Sequence, residues 1–182
     1  MIQTVSDKTV AEIMGTGDVV QATVDTVTQI FARTINDTGK IGTSVTDVIA
    51  DVASGAVRGA AQAGAGLGPA TKGIMLGVLR GTRGTGRTVL DNISHTSRVA
   101  IWGTVNVGGD LAAAATGLVA GAIEASKELG VSAEDAAAAV ADGALKVAGQ
   151  VGPTAFEAIR KAVTSPIHGV GLVQPTLIPK TT

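Results

Sequence analysis

Three segments of the chain repeat one short pattern at a spacing of 44 residues, beginning at Gly42, Gly86 and Gly130. The pattern is Gly, any residue, Ser or Thr, two further residues, and then Asp. Glycine tolerates the left-handed conformation that ends a helix. A Ser or Thr oxygen caps the next helix, and an Asp three residues later faces its positive end. Each copy therefore predicts the end of one helix and the start of another.

A second interruption falls in the middle of each unit. It is marked by three glycines that are again 44 residues apart, Gly64, Gly108 and Gly152. Pro69 and Pro153 suit the first turn of a helix, and Asp110 suits an N-cap. The pattern predicts an all-α fold of about eight helices, arranged as helix-hairpin units of the 44-residue repeat. Helices that run through these glycines are the alternative, because 44 is also a multiple of an 11-residue period.

The repeat predicts a helical domain over residues 1–163, with units of about 1–42, 43–86, 87–130 and 131–163. Residues 164–182 contain three prolines and lack the helical pattern. This segment predicts an extended C-terminal arm that lies on a neighbouring subunit, with a mobile end as the alternative. Its candidate interface residues are Ile167, Leu172 and Val173.

The apolar side chains of this sequence are small. Hydrophobic residues make up 45% of the chain but aromatic residues only 2%, and there are 25 glycines. Small residues recur every four positions, which places them on one side of a helix. Such a side allows another helix backbone to come close. The predicted packing residues are Gly55, Gly59, Gly73, Gly77, Gly81, Ala113, Gly117, Gly121 and Ala125. Phe31, Met75 and Phe156 are expected in the core.

Charge alternates along the chain in blocks. Residues 1–57 carry a net charge of −4, residues 58–98 a net charge of +5, and residues 99–157 a net charge of −5. We expect neighbouring blocks or neighbouring subunits to attract one another. The central block also contains candidates for anion binding, Arg80, Arg83, Arg87 and Arg98, although nucleic acid is the less favoured partner. Trp102 is expected to be half-exposed at a packing or subunit interface.

The residues that support chemistry are sparse. The chain has no Cys, and its two histidines, His95 and His168, fall in different repeats. No Gly-x-Ser-x-Gly motif occurs. We therefore expect a protein that is not an enzyme, with no catalytic residue, cofactor or metal. No signal peptide and no clear transmembrane helix are evident, which favours a cytoplasmic location and leaves export by another route open.

The phrases Gly59-Ala-Ala-Gln-Ala-Gly64 and Gly103-Thr-Val-Asn-Val-Gly-Gly-Asp110 resemble those of uncharacterised bacterial Gly/Ala-rich helical repeat proteins. The composition is also similar to that of phasin-like and synuclein-like coat proteins. The repeat, the Gly/Ala helix sides, the alternating charge blocks and the apolar tail together predict a structural protein that builds a filament, tube or layer by close packing with copies of itself. The similarity to coat proteins implies the alternative, a peripheral coat on a lipid or storage-granule surface.

Overall fold

The computed structural model describes residues 2–16, 18–38, 44–83 and 88–165. These residues form eight α-helices and no strand, which confirms the predicted all-α fold. The helices are α1 (Ile2–Thr16), α2 (Val19–Thr38), α3 (Val45–Gln62), α4 (Leu67–Gly81), α5 (Val89–Asn106), α6 (Leu111–Leu129), α7 (Ala133–Val151) and α8 (Pro153–Thr164). Gly42 and Gly86 lie outside the described residues, and so does the predicted arm except for Thr164, which ends α8, and Ser165.

The repeated Ser/Thr and Asp pair caps three helices as predicted. Each N-cap hydroxyl accepts a hydrogen bond from the N–H of the Asp three residues on, at 3.2 Å for Ser44 and Asp47, 3.1 Å for Thr88 and Asp91, and 3.0 Å for Ser132 and Asp135. The carboxylate of Asp110 accepts the N–H of Ala113 at 3.0 Å and caps α6 in the same way. The repeated pattern thus marks the starts of α3, α5 and α7, and Asp110 marks the start of α6.

Glycine also separates the two helices of each unit. Gly64 and Gly108 have φ of 66°, and Gly152 has φ of 145°, in the region that side-chain-bearing residues rarely adopt. Gly130, at the end of α6, has φ of 71°. Helices that run through these positions are therefore ruled out, and the hairpin interpretation is confirmed. Pro153 opens α8, and Pro69 lies in the first turn of α4.

The eight helices form two layers. The odd helices α1, α3, α5 and α7 lie side by side in one layer, and the even helices α2, α4, α6 and α8 in the other. Each helix packs against the next helix of its own layer and against its hairpin partner in the other layer. A single core of Ala, Val, Ile and Leu runs between the layers.

The core contains two of the three large residues that the sequence placed there. Phe31 and Met75 are fully buried. Phe156 is half-buried and packs against the edge of the core rather than within it. It lies on α8, the last described helix, which among the described helices packs against α6 and α7 only.

Candidate functional site

A row of three glycines on α4 faces α2, and it consists of Gly73, Gly77 and Gly81. A Cβ atom built on each glycine would lie 2.7 Å from the Cβ of an α2 residue, namely Thr23, Val27 and Phe31 in turn. Real Cβ atoms do not approach this closely. The two helices can therefore pack at this separation only because α4 carries no side chain along this side.

The equivalent row on α6 consists of Gly117 and Gly121, and it faces α4. An added Cβ on Gly117 would collide with the carbonyl oxygen of Gly68 and the hydroxyl of Thr71, and one on Gly121 would lie 2.7 Å from the carbonyl oxygen of Lys72. The Thr71 hydroxyl also lies 2.8 Å from the carbonyl oxygen of Ala114 on α6. This junction therefore brings two backbones together and places a hydroxyl within hydrogen-bonding distance across it. Of the flanking predicted residues, Ala125 is buried and Ala113 half-buried.

Single glycines make the close contacts of the odd layer. An added Cβ on Gly59 of α3 would lie 2.6 Å from the carbonyl oxygen of Ser6 on α1. Gly143 of α7 packs in the same manner against the carbonyl oxygen of Ser94 on α5. Gly103 of α5 has more room, with 3.4 Å to the nearest atom of α3. Gly55 is buried within α3.

Sequence reasoning missed several of these contacts. Gly143 belongs to the third repeat, where the similarity is weak; the residue 44 positions earlier is Val99, and a glycine recurs at this position only in Gly55, 88 positions earlier. Gly68 stands beside Pro69, where the sequence predicts a break between two helices. Gly103 did carry a signal, because it follows the predicted packing residue Gly59 by 44 positions.

Opposite charges meet across the outer side of α4 and α6. Lys72 pairs with Glu124 at 2.8 Å, and Glu128 accepts from both Arg80 at 3.1 Å and Arg83 at 2.9 Å. The hydrogen bond from Arg80 is the main cause that lowers the pKa of Glu128 below its ordinary value. Basic residues of the central block thus contact acidic residues of the following block within one chain.

The three predicted anion-binding arginines that the structure describes do not form one site. Arg80 and Arg83 share Glu128, whereas Arg98 lies on α5 and contacts Nδ1 of His95 at 2.9 Å. Arg87 lies outside the described residues. The arrangement offers these guanidinium groups partners within the protein itself.

Arg98 lines an open groove between α5 and α7, together with Asp142 and Lys146. Burial of the Asp142 carboxylate raises its pKa, but hydrogen bonds from Lys146 and Ser94, both 2.8 Å long, outweigh this effect and the pKa is lowered. His95 lines the same groove, and its Nε2 lies 3.2 Å from the carbonyl oxygen of Thr46 on α3. These contacts connect three successive odd helices at their surface.

Trp102 stands out on the outer surface of the odd layer. Its side chain is 47% exposed, in agreement with the expected half-exposure. Arg58 on α3 and Lys146 on α7 hold the same position in their repeats and are also exposed. Val151, which the sequence did not single out, is 40% exposed at the end of α7. The other interface candidates, Ile167, Leu172 and Val173, lie outside the described residues.

Two absences hold for the described residues only. No group of three or more His, Cys, Asp or Glu side chains there could hold a metal ion. None of the helices combines the length and the apolar character needed to cross a bilayer.

Comparison with known proteins identifies the fold. No protein-family model matches the chain, and no curated protein matches its sequence. Among solved structures, the chain is similar to the crystal structure of a de novo designed helical repeat protein. That similarity has a TM-score of 0.54 at 14% sequence identity, and it covers 89% of this chain and 90% of the designed one. The chain thus has a helical-repeat fold.

Proposed function

We propose that the protein is a non-enzymatic structural scaffold that assembles with copies of itself into a filament, tube or layer. The observation that carries this proposal is the stacking of hairpins through bare helix sides, as where Gly73 meets Thr23 and Gly117 meets Gly68. Contacts of this kind fix the distance between neighbouring hairpins by backbone dimensions. A stiff array of fixed geometry is suited to holding binding partners at defined positions. The simplest such partner is another copy of the same chain.

The glycine rows support the proposal indirectly. Their described contacts join hairpins of the same chain, so they build the array rather than connect one array to another. Assembly would therefore use the outer faces. The exposed Trp102 is the best candidate contact, because a large aromatic side chain gains most when a partner covers it.

The proposal is tested by sedimentation velocity over a range of protein concentrations, together with electron microscopy of the concentrated protein. We expect species larger than the monomer, and we expect Trp102→Ala to reduce them. Arg58→Ala is the matched control, because Arg58 is exposed at the same repeat position on α3. A monomer that persists at every concentration would overturn the proposal.

The coat alternative predicts a different behaviour. A coat helix turns its apolar side towards lipid, whereas buried residues of α8 such as Ile159 and Val163 already lie in the protein core. Circular dichroism with and without anionic vesicles separates the two ideas. Full helicity without lipid supports the scaffold, and a large gain of helicity on vesicles supports the coat. Binding of nucleic acid is less favoured, because Arg80 and Arg83 contact Glu128.

A further inference from the structure

The two glycine rows show how the even helices correspond to one another. Gly73 on α4 meets the carbonyl oxygen of Val20 and the side chain of Thr23 on α2. Gly117 on α6 meets the carbonyl oxygen of Gly68 and the side chain of Thr71 on α4. Val20 and Gly68 are 48 residues apart, and so are Thr23 and Thr71. A residue of α2 therefore corresponds to the residue 48 positions later on α4.

This correspondence identifies the outer side of α2. The α2 residues that correspond to Gly73, Gly77 and Gly81 are found 48 positions earlier, and they are Asp25, Gln29 and Arg33. All three are exposed. They recur every four residues, which places them along one side of the helix, and this side points away from the residues that contact α4. We call Asp25, Gln29 and Arg33 the N-terminal row.

The N-terminal row prevents another hairpin from packing against α2 in the way that hairpins pack against one another within the array. Where α4 and α6 present glycine, α2 presents an acidic, an amide and a basic side chain. Another helix cannot reach the α2 backbone while these side chains stand between them. A further copy of the chain therefore cannot add here as one more hairpin at the same spacing.

The order of the three side chains makes the row complementary to itself. A two-fold rotation that sets two α2 helices antiparallel about Gln29 places Asp25 of each copy opposite Arg33 of the other. We propose that the N-terminal row is a two-fold interface for a second copy of this chain. The inference rests on the proposed function, because it assumes that the protein associates with itself, and it specifies a contact that closes as a dimer.

Neighbouring residues on α1 extend the same surface. Nζ of Lys8 lies 3.4 Å from Oε1 of Gln29, which places Lys8 at the height of the two-fold axis. A residue at this height meets its own copy across the axis, as Gln29 does, so Lys8 adds no opposite-charge pair to the interface. Beside them, Val5 and Ile30 line a small groove with Lys8 and Arg33. Val5 is buried and Ile30 half-buried, so the interface rests on the two Asp25–Arg33 pairs.

Charge reversal tests the pairing. Sedimentation velocity of the full chain at low salt should show that Arg33→Glu or Asp25→Arg weakens the dimer about tenfold to thirtyfold, because two attractive pairs become repulsive. The double variant Asp25→Arg/Arg33→Glu should restore association, since it combines the two single changes and exchanges the two charges. Lys127→Glu, at an exposed position of α6, is the control and should leave the dimer unchanged. Circular dichroism verifies that each variant is folded.

Cross-linking tests the position of the axis independently of charge. The natural chain has no cysteine, so Gln29→Cys introduces a single thiol that faces its own copy across the axis. With oxidised glutathione as oxidant, this variant should form a covalent dimer several times faster than Gln21→Cys. Gln21 is an exposed residue of the same helix, two turns from the axis.

The results distinguish failure of this inference from failure of the proposed function. A wild-type chain that remains a monomer contradicts both. A wild-type chain that associates, while the charge variants associate equally and the two cysteine variants cross-link at equal rates, contradicts the N-terminal row alone. Recovery in the double variant together with faster cross-linking at Gln29 supports the inference.

Discussion

Replacement of Gly73 by Ala adds one methyl group to the side of α4 that faces α2. That carbon would lie 2.7 Å from the carbonyl oxygen of Val20 and 2.7 Å from the Cβ of Thr23, whereas ordinary contacts begin at 3.4 Å. Both neighbours belong to, or are fixed to, the α2 backbone, so neither can rotate away. The two helices must separate by about 0.7 Å, a gap at which facing atoms lose a quarter to half of their attraction.

The expected cost follows from two opposing effects. Overpacking of a tight contact costs about 1–3 kcal/mol, and the involvement of backbone atoms argues for the upper part of that range. Alanine returns about 1 kcal/mol through its higher helix propensity. Gly73→Ala should therefore lower the free energy of unfolding by about 1–2 kcal/mol. Gly149→Ala is the matched control, because Gly149 lies within α7 with no atom within 4 Å of an added Cβ, and it should gain about 1 kcal/mol.

Urea unfolding followed by far-ultraviolet circular dichroism measures both variants. Opposite signs for the two substitutions are the expected result. If Gly73→Ala stabilises the protein as much as Gly149→Ala, the bare side of α4 is not required for packing. The account of the hairpin junctions would then be wrong.

Three further predictions concern single contacts. Thr71→Val removes the hydroxyl that lies within hydrogen-bonding distance of α6 and should cost about 0.5–1.5 kcal/mol in the free energy of urea unfolding, with little change in the slope of the transition. Ser132→Ala removes the cap of α7 and should cost about 1 kcal/mol, which thermal unfolding detects as a lower midpoint. Arg80 lowers the pKa of Glu128 in the folded state. The ion pair therefore stabilises the protein at pH values above 4.5, the ordinary pKa of this carboxyl group. The stabilisation is lost as the pH falls through the lowered pKa. Glu128→Gln should therefore be less stable than the wild type at neutral pH and equal to it in acid; a difference that persists in acid would contradict this.

Much of the architecture could be predicted from local sequence signals. The caps at Ser44, Thr88 and Ser132 depend on residues within one helical turn, and the break at Gly108 depends on the conformation of a single residue. Such features are visible in the sequence because their causes are close together along the chain. Because the pattern repeats, a cap or a helix break that is recognised in one unit also predicts the equivalent cap or break in the next unit.

The contacts between helices were less accessible to prediction. The glycine rows could be recognised in the sequence. Whether they form contacts within one chain or between two chains depends on which helix lies opposite, and the sequence does not specify this. The ion pairs of Glu128 depend on the relative height of α4 and α6, which the charge blocks do not specify. The 48-residue spacing between Val20 and Gly68 departs from the 44-residue repeat by about one helical turn, so the N-terminal row was hidden from a search at constant spacing.

The 44-residue spacing from α4 to α6 has a consequence for how such a chain can lengthen. The helix α4 contributes glycines towards the preceding helix and receives the glycines of the following one, so it fits a neighbour on either side. Duplication of an internal unit would supply both halves of each new junction and leave the two terminal hairpins untouched. The chain could thus lengthen by insertion of whole internal units. Addition of a hairpin on the outer side of α2 would first require the loss of Asp25, Gln29 and Arg33.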